Sequence, residues 1–270
     1  MSARFRGLFG RGTDEPAARV AAGRSSGVAE AAGRPRVITI LGMHRSGTSA
    51  LAGSLAAAGL ELGDVRTEAG DSNAKGHHEP GELISLHEDV LITSGGAWHL
   101  PPADVTWTSR QRERRDEFIA AHAGLPLWGW KEPRTLLVIG GWLEAMPELE
   151  MVATFRHPAV VARSLQRRHG SERIDMWFDV WLAYDARLLA LAEEQGLPLI
   201  DFDLPADAYR ARLGALVREL QLPRPGDAET FFEGELRTSG GGVPAAVALP
   251  REVERVYERL RAIAREQAGA

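Results

Sequence analysis

The segment Gly42-Met43-His44-Arg45-Ser46-Gly47-Thr48-Ser49 combines two glycines, one guanidinium and three hydroxyls, the groups that bind an anion. Before it runs the β-branched apolar stretch Val37 to Leu41. After it, Thr48 to Ala58 carries Leu51 and Leu55 four apart, with Gly59 as the stop. The segment therefore leaves a buried strand and enters a helix. Backbone N–H groups then converge where the helix dipole is positive, which holds a phosphate or a sulfate. The glycine spacing is that of the Walker A pattern GxxxxGK(S/T), but Thr48 stands where that pattern has lysine, and the cation sits three positions earlier at Arg45. This displacement disfavours an ATPase or an ordinary kinase. It sets the charge over the loop mouth, against the oxygen that joins a 5′-phosphate to a departing group.

Three further groups carry candidate chemistry. Arg156-His157-Pro158 closes an apolar run, and Ser164, eight residues beyond Arg156, lies about two turns into the following helix, so both side chains can reach one phosphate. Lys75-Gly76-His77-His78-Glu79 precedes a predicted helix and supplies bases able to take a proton from a nucleophile: Glu79, or a histidine, His77 or His78, that titrates near neutrality. Lys131-Glu132-Pro133-Arg134 ends another predicted strand, either as a salt-bridged strand end or with Lys131 or Arg134 beside a reacting group. Trp98, Trp107, Trp128 and Trp130 are candidates for stacking on sugar faces, against the commoner fate of burial.

Strand-GMHRSGTSAL-helix resembles the 5′-phosphosulfate loop of the sulfotransferases that use 3′-phosphoadenosine 5′-phosphosulfate (PAPS), in the bacterial branch that carries arginine where better-known members carry lysine. The resemblance spans roughly residues 36 to 235. It implies a 5′ site from Arg45, Ser46, Gly47, Thr48 and Ser49, and a 3′-phosphate site from Arg156 and Ser164. It points to Glu79 as the base, with His78 or His77 as the alternative, and to Lys131 or Arg134 beside the acceptor or the departing sulfuryl group. The late basic glycine loop of the family has Arg237 with Gly240 to Gly242 as its candidate here. By this resemblance PAPS is the donor and 3′-phosphoadenosine 5′-phosphate (PAP) the product. The acceptor is a small molecule or carbohydrate, offering a hydroxyl or, second, an amine, plausibly on a saccharide or glycolipid. The other readings are a small-molecule kinase and a non-catalytic PAP-binding regulator.

These groups need a scaffold. Predicted strands at Val37 to Leu41, Leu125 to Trp130, Glu150 to Phe155 and Leu197 to Phe202 alternate with helices at Thr48 to Ala58, Pro80 to Thr93, Ser109 to His122, Pro133 to Ala145, Ala159 to Arg168 and Glu172 to Gln195. A helical region follows from about Ala206. That alternation predicts an α/β fold, a P-loop-like parallel sheet flanked by helices with a helical C-terminal region, whose ligands sit beyond the carboxyl ends of the strands. Residues 1–35, rich in Ala, Gly, Arg and Ser, read as a flexible tail before one domain at 36–270. Phe5, Leu8 and Phe9 among its arginines offer a peripheral membrane contact.

A net charge of −5 gives no global attraction for nucleic acid, so anion binding must be local. The absence of cysteine excludes disulfides, thiolate zinc sites and a cysteine nucleophile. His77, His78, Glu79 and His87 lack the spacing of a helical zinc site, so no metal is expected. No apolar run approaches the ~20 residues that span a bilayer, and a cytoplasmic location is expected.

Overall fold

Four short apolar stretches become parallel strands: β1 (Arg36–Leu41), β2 (Leu127–Lys131), β3 (Glu150–Phe155) and β4 (Leu199–Asp201), in the order β2-β1-β3-β4. The computed structural model describes residues 35–65, 79–170, 173–231 and 248–269. The expected tail up to Arg34, together with Lys75, His77, His78, Arg237 and Gly240 to Gly242, lies outside the described residues. Pro35–Ala270 groups as one unit.

Alternation along the strands supplies both faces of the sheet, because successive side chains point to opposite sides. Ile38 and Ile40 of β1, Val152 of β3 and Ile200 of β4 pack with helices α1 (Thr48–Ala57), α7 (Ala206–Glu219) and α8 (Pro225–Phe231). Leu41, Met151, Ala153, Phe155 and Leu199 face a larger core under α2 (Gly81–Thr93), α3 (Ser109–His122), α4 (Thr135–Ala145), α5 (Pro158–His169), α6 (Ile174–Gln195) and α9 (Arg251–Gly269). The result is the expected three-layer α/β arrangement with a helical C-terminal part. Among the described residues no helix is long and apolar enough to cross a membrane.

The strand β2 begins two residues later than the sequence suggests and includes Lys131. Pro126 has no N–H to donate; its carbonyl accepts from Arg36 N at 3.0 Å, and regular pairing starts after it. This register puts Trp128 and Trp130 on one face. They lie at 1% and 0% exposure among Phe118, Trp142 and their neighbours. Trp107 is also buried. Three of the four tryptophans considered for sugar stacking are therefore core residues, and only Trp98 stays partly open.

The helix α3 is mostly charged and buries Phe118 beside Gln111 and Arg115, and its start is fixed by a capping box. Thr108 Oγ1 accepts from Gln111 N, and Gln111 Oε1 accepts from Thr108 N at 2.8 Å.

Gly129, in the middle of β2, faces Ile38 so closely that a Cβ there would sit 1.9 Å from the Ile38 carbonyl oxygen. Backbone cannot yield as a side-chain tip can. Gly129→Ala is expected to destabilise the protein by about 3 kcal/mol or more, at the upper end of overpacking costs. Urea unfolding that shows a loss under about 1 kcal/mol would mean that β2 shifts freely against β1.

Candidate active site

The carboxyl ends of β1, β2 and β3 deliver the chemistry. The chain leaves β1 into the loop that ends on Gly47, whose φ of 88° caps α1 and whose Cβ, were there one, would lie 2.2 Å from the Phe202 ring. Arg45 adopts φ 70°, a left-handed conformation that costs a non-glycine residue roughly 1–3 kcal/mol. The loop is held by Thr154 of β3, whose Oγ1 donates to the Ser46 carbonyl at 3.1 Å. Ser46 is fully buried, and its hydroxyl has no hydrogen-bond partner. A buried hydroxyl left unpaired costs about 1–3 kcal/mol, and an anion oxygen in the loop removes that cost.

Two arginines converge here from different strands. Arg45 Nε donates to Ser164 Oγ at 2.9 Å, joining the loop after β1 to α5. Burial lowers the Arg45 pKa, and the positive charges of Arg168, Arg156 and Arg167 lower it further. Arg156, 6% exposed at the end of β3, is aimed by Asp203. Asp203 Oδ1 accepts from Arg156 Nε at 3.1 Å, and Oδ2 accepts from His157 N at 2.7 Å. The Arg156 guanidinium stands over the Phe202 ring at 5.1 Å.

From β2 comes a buried ammonium. Lys131 Nζ donates to Glu79 Oε1 at 2.7 Å and to Ser49 Oγ at 3.2 Å, so one side chain ties the start of α1 to the carboxylate that precedes α2. Burial lowers the Lys131 pKa, while the charge and hydrogen bond of Glu79 hold it up. Next along, Glu132 is wholly buried and accepts from Arg134 Nη1 at 2.6 Å. His87 Nδ1 lies 2.6 Å from Glu132 Oε2, and Trp142 Nε1 lies 3.0 Å from His87 Nε2. Indole is a donor only, so His87 Nε2 must accept and Nδ1 carries the proton that it donates to Glu132. Burial works to raise the Glu132 pKa, and the His87 hydrogen bond with the Arg134 charge outweighs it, holding the carboxyl down at about 2.

The residue before Arg45 opens a different surface. His44 packs on Trp98 at 4.9 Å and on Tyr184 at 6.1 Å, and its Nε2 has no hydrogen-bond partner. Burial, followed by the charge of Arg134, pushes its pKa down to about 3.

Of the residues picked from the sequence, the structure joins Arg45 with Ser164, and Ser49 with Lys131 and Glu79. It sets Arg156 on Asp203 and buries Thr48 at the head of α1. His78 is outside the described residues. Arg134 turns to Glu132 and to Glu88, at 3.0 Å, rather than standing alone beside a ligand. Sequence reasoning assigned no role to Asp203, because its partner is 47 positions away. Nor did it mark His44, whose only signal was its place next to Arg45.

The sequence matches no protein-family model and no curated protein. Solved structures are similar in fold. A sulfotransferase domain from the curacin biosynthetic pathway superposes with a TM-score of 0.51 at 17% identity, over 84% of this chain and 98% of that one. A sulfotransferase domain from the olefin synthase of Synechococcus PCC 7002 gives 0.52 at 16%, over 84% and 95%. A sulfotransferase from Mycobacterium tuberculosis H37Rv gives 0.52 at 18%, over 86% and 78%. The chain thus has the sulfotransferase fold.

The depressed His44 pKa carries a sign for stability. Unfolded, the imidazole titrates near its ordinary 6.5; folded, it titrates near 3. Between those values the unfolded chain binds a proton that the native chain does not. The stabilisation present above pH 6.5 is therefore lost as pH falls toward 3, by up to about 1.4 kcal/mol per pH unit. His44→Gln should remove this component, so that its stability falls less steeply than wild type between pH 7 and pH 5 in urea titrations. Parallel profiles would show that His44 protonates as easily folded as unfolded.

Proposed function

We propose that the protein is a cytoplasmic sulfotransferase, a domain at 36–270 behind an N-terminal tail. It moves a sulfuryl group from PAPS to a hydroxyl of an acceptor of the saccharide or glycolipid class. The observation that carries this reading is the convergence of Arg45, Arg156 and Ser164 with the unpartnered Ser46 hydroxyl where β1 and β3 end. Crowded cations and an orphaned donor fit a ligand with several anionic groups. The fold of the chain supports the same reading.

PAPS supplies an activated sulfuryl group whose S–O bond to the 5′-phosphate breaks as the acceptor oxygen attacks. The chain supplies position and charge, which carry most of such a transfer. Backbone N–H groups of the loop, with Ser46, Gly47, Thr48 and Ser49, hold the 5′-phosphate end. Arg45 neutralises charge on the leaving oxygen. Its guanidinium stays protonated, so it contributes charge and not a proton. Arg156 and Ser164 hold the 3′-phosphate, with Asp203 orienting the arginine. Glu79 takes the acceptor proton, and Lys131 fixes that carboxylate against Ser49.

The reading is tested by calorimetric titration with PAP and AMP. Two charged hydrogen bonds at ~1.5–3 kcal/mol each should favour PAP by ~100-fold or more. Arg156→Ala should lose most of that preference and leave AMP binding little changed. Equal affinity of wild type for PAP and AMP would overturn the sulfotransferase reading and raise the kinase one.

Glu79→Gln keeps an oxygen for Lys131 and removes the base. Turnover with PAPS and a broad acceptor panel should fall about 100-fold or more, with PAP affinity retained within a few-fold. Undiminished turnover would pass the base role to His77 or His78.

A further inference from the structure

Beside the phosphate loop lies a cluster of rings that the donor does not account for. Trp98 sits at its centre, with ring centroids 4.9 Å from His44, 5.2 Å from His169, 5.3 Å from His99 and 6.1 Å from Trp177, the last nearly parallel at 22°. These rings come from the loop after β1, the chain after α2, the end of α5 and the start of α6. A purely structural cluster would be closed over. Here Trp98 is only partly buried, and His99 and His169 are exposed.

Within the cluster, polar atoms lack partners. His44 Nε2, Trp177 Nε1 and Tyr184 Oη are all buried without a hydrogen bond, and the Tyr184 ring is 6.1 Å from His44. Of these only His44 belongs to a residue that stays partly exposed beside the Trp98 ring, and a hydroxyl brought by a ligand on that ring would give its Nε2 a partner. His44 is covalently next to Arg45, so a hydroxyl held there lies on the side of the loop where the leaving group departs.

Charge narrows the ligand class. Arg167 and Arg168 stand one turn beyond Ser164 on the same stretch of α5 and are exposed. Among the described residues neither pairs with a carboxylate, whereas Arg36, Arg112, Arg134, Arg156 and Arg259 each do. Arg168 is the residue before His169, whose ring lies 5.2 Å from that of Trp98.

We infer that this cluster is the acceptor subsite and takes a ring-bearing acceptor with a carboxylate, of the uronic-acid kind: the ring face lies on Trp98, a hydroxyl reaches His44, and the carboxylate meets Arg167 and Arg168. The inference rests on the sulfotransferase reading for the word acceptor, and on the rings and arginines for the ligand class. Aromatic faces bind the apolar face of a sugar, and paired guanidiniums select a carboxylate by geometry as well as charge.

The test uses two probes that differ only at the sugar C5 substituent, para-nitrophenyl β-D-glucuronide and para-nitrophenyl β-D-glucoside. Binding is read by equilibrium dialysis through the nitrophenyl absorbance, with and without saturating PAP. Wild type should bind the glucuronide about tenfold or more tightly than the glucoside. The double variant Arg167→Ala with Arg168→Ala should bring the glucuronide down to the glucoside value, leaving the glucoside affinity within about twofold. Both substitutions are on the exposed side of α5, so the fold is retained. Equal binding of the two probes by wild type, with and without PAP, overturns the inference. So does a double variant that loses PAP affinity while keeping the preference for the glucuronide, which would assign both arginines to the donor alone. Failure of PAP itself to bind would instead remove the sulfotransferase reading, while the probe pair would still report on the ring site.

Discussion

Positive charge held close at the carboxyl edge of a parallel sheet repels itself, and much of the surrounding structure answers that repulsion. Burial lowers the Arg45 pKa and the charges of Arg168, Arg156 and Arg167 lower it further, and Lys131 is buried close by. Carboxylates from other elements are placed one by one against these cations: Asp203 on Arg156, Glu79 on Lys131, Glu132 on Arg134. Each pair gains Coulomb energy in a low-dielectric setting but also loses hydration, so its net effect is on position more than on stability. Removing one partner leaves the other charge buried and unpaired, which costs several kcal/mol. A site assembled this way is preorganised for an anionic ligand, because its cations are already desolvated and aimed.

Behind the cations lies a second buried polar layer. Glu132, His87 and Trp142 form a chain of hydrogen bonds from the end of β2 through α2 into α4, and its donor and acceptor roles are fixed by the indole N–H. Arg134 leaves this chain for Glu88 on α2. The helix that follows Glu79 is thus clamped to the strand that carries Lys131. The proposed base and its ammonium partner consequently move as one unit, with Ser49 linking both to the phosphate loop.

The ring cluster around Trp98 has a different physical character. It is held by packing instead of charge pairs, and it retains buried polar atoms without partners. A charged loop beside a partly open aromatic surface gives two neighbouring environments, one suited to phosphate and sulfate and one to a ring. Their junction is the peptide between His44 and Arg45, where the backbone is held at a left-handed φ of 70°. That strain is stored at the point where donor and acceptor would meet.

Local sequence determined what depends on neighbours along the chain. The β-branched run before Gly42 and the leucines after Thr48 make a strand and a helix by periodicity alone, and the glycines and the displaced cation at Arg45 are what led the loop between them to be read as a phosphate-binding turn. The same reasoning found the end of β3 with Arg156 and the helix with Ser164, since their spacing is local. Tertiary structure decided everything that couples distant positions. It paired Arg156 with Asp203, Lys131 with Glu79 and Arg45 with Ser164, across separations of 47, 52 and 119 residues that carry no periodic signal. It also set the register of β2 against β1, which sends Trp128 and Trp130 into the core, whereas Trp98, in the chain after α2, stays partly open. A side chain's periodicity says which face of an element it occupies. Only the packing of that face says whether it meets a core, a counter-charge or a ligand.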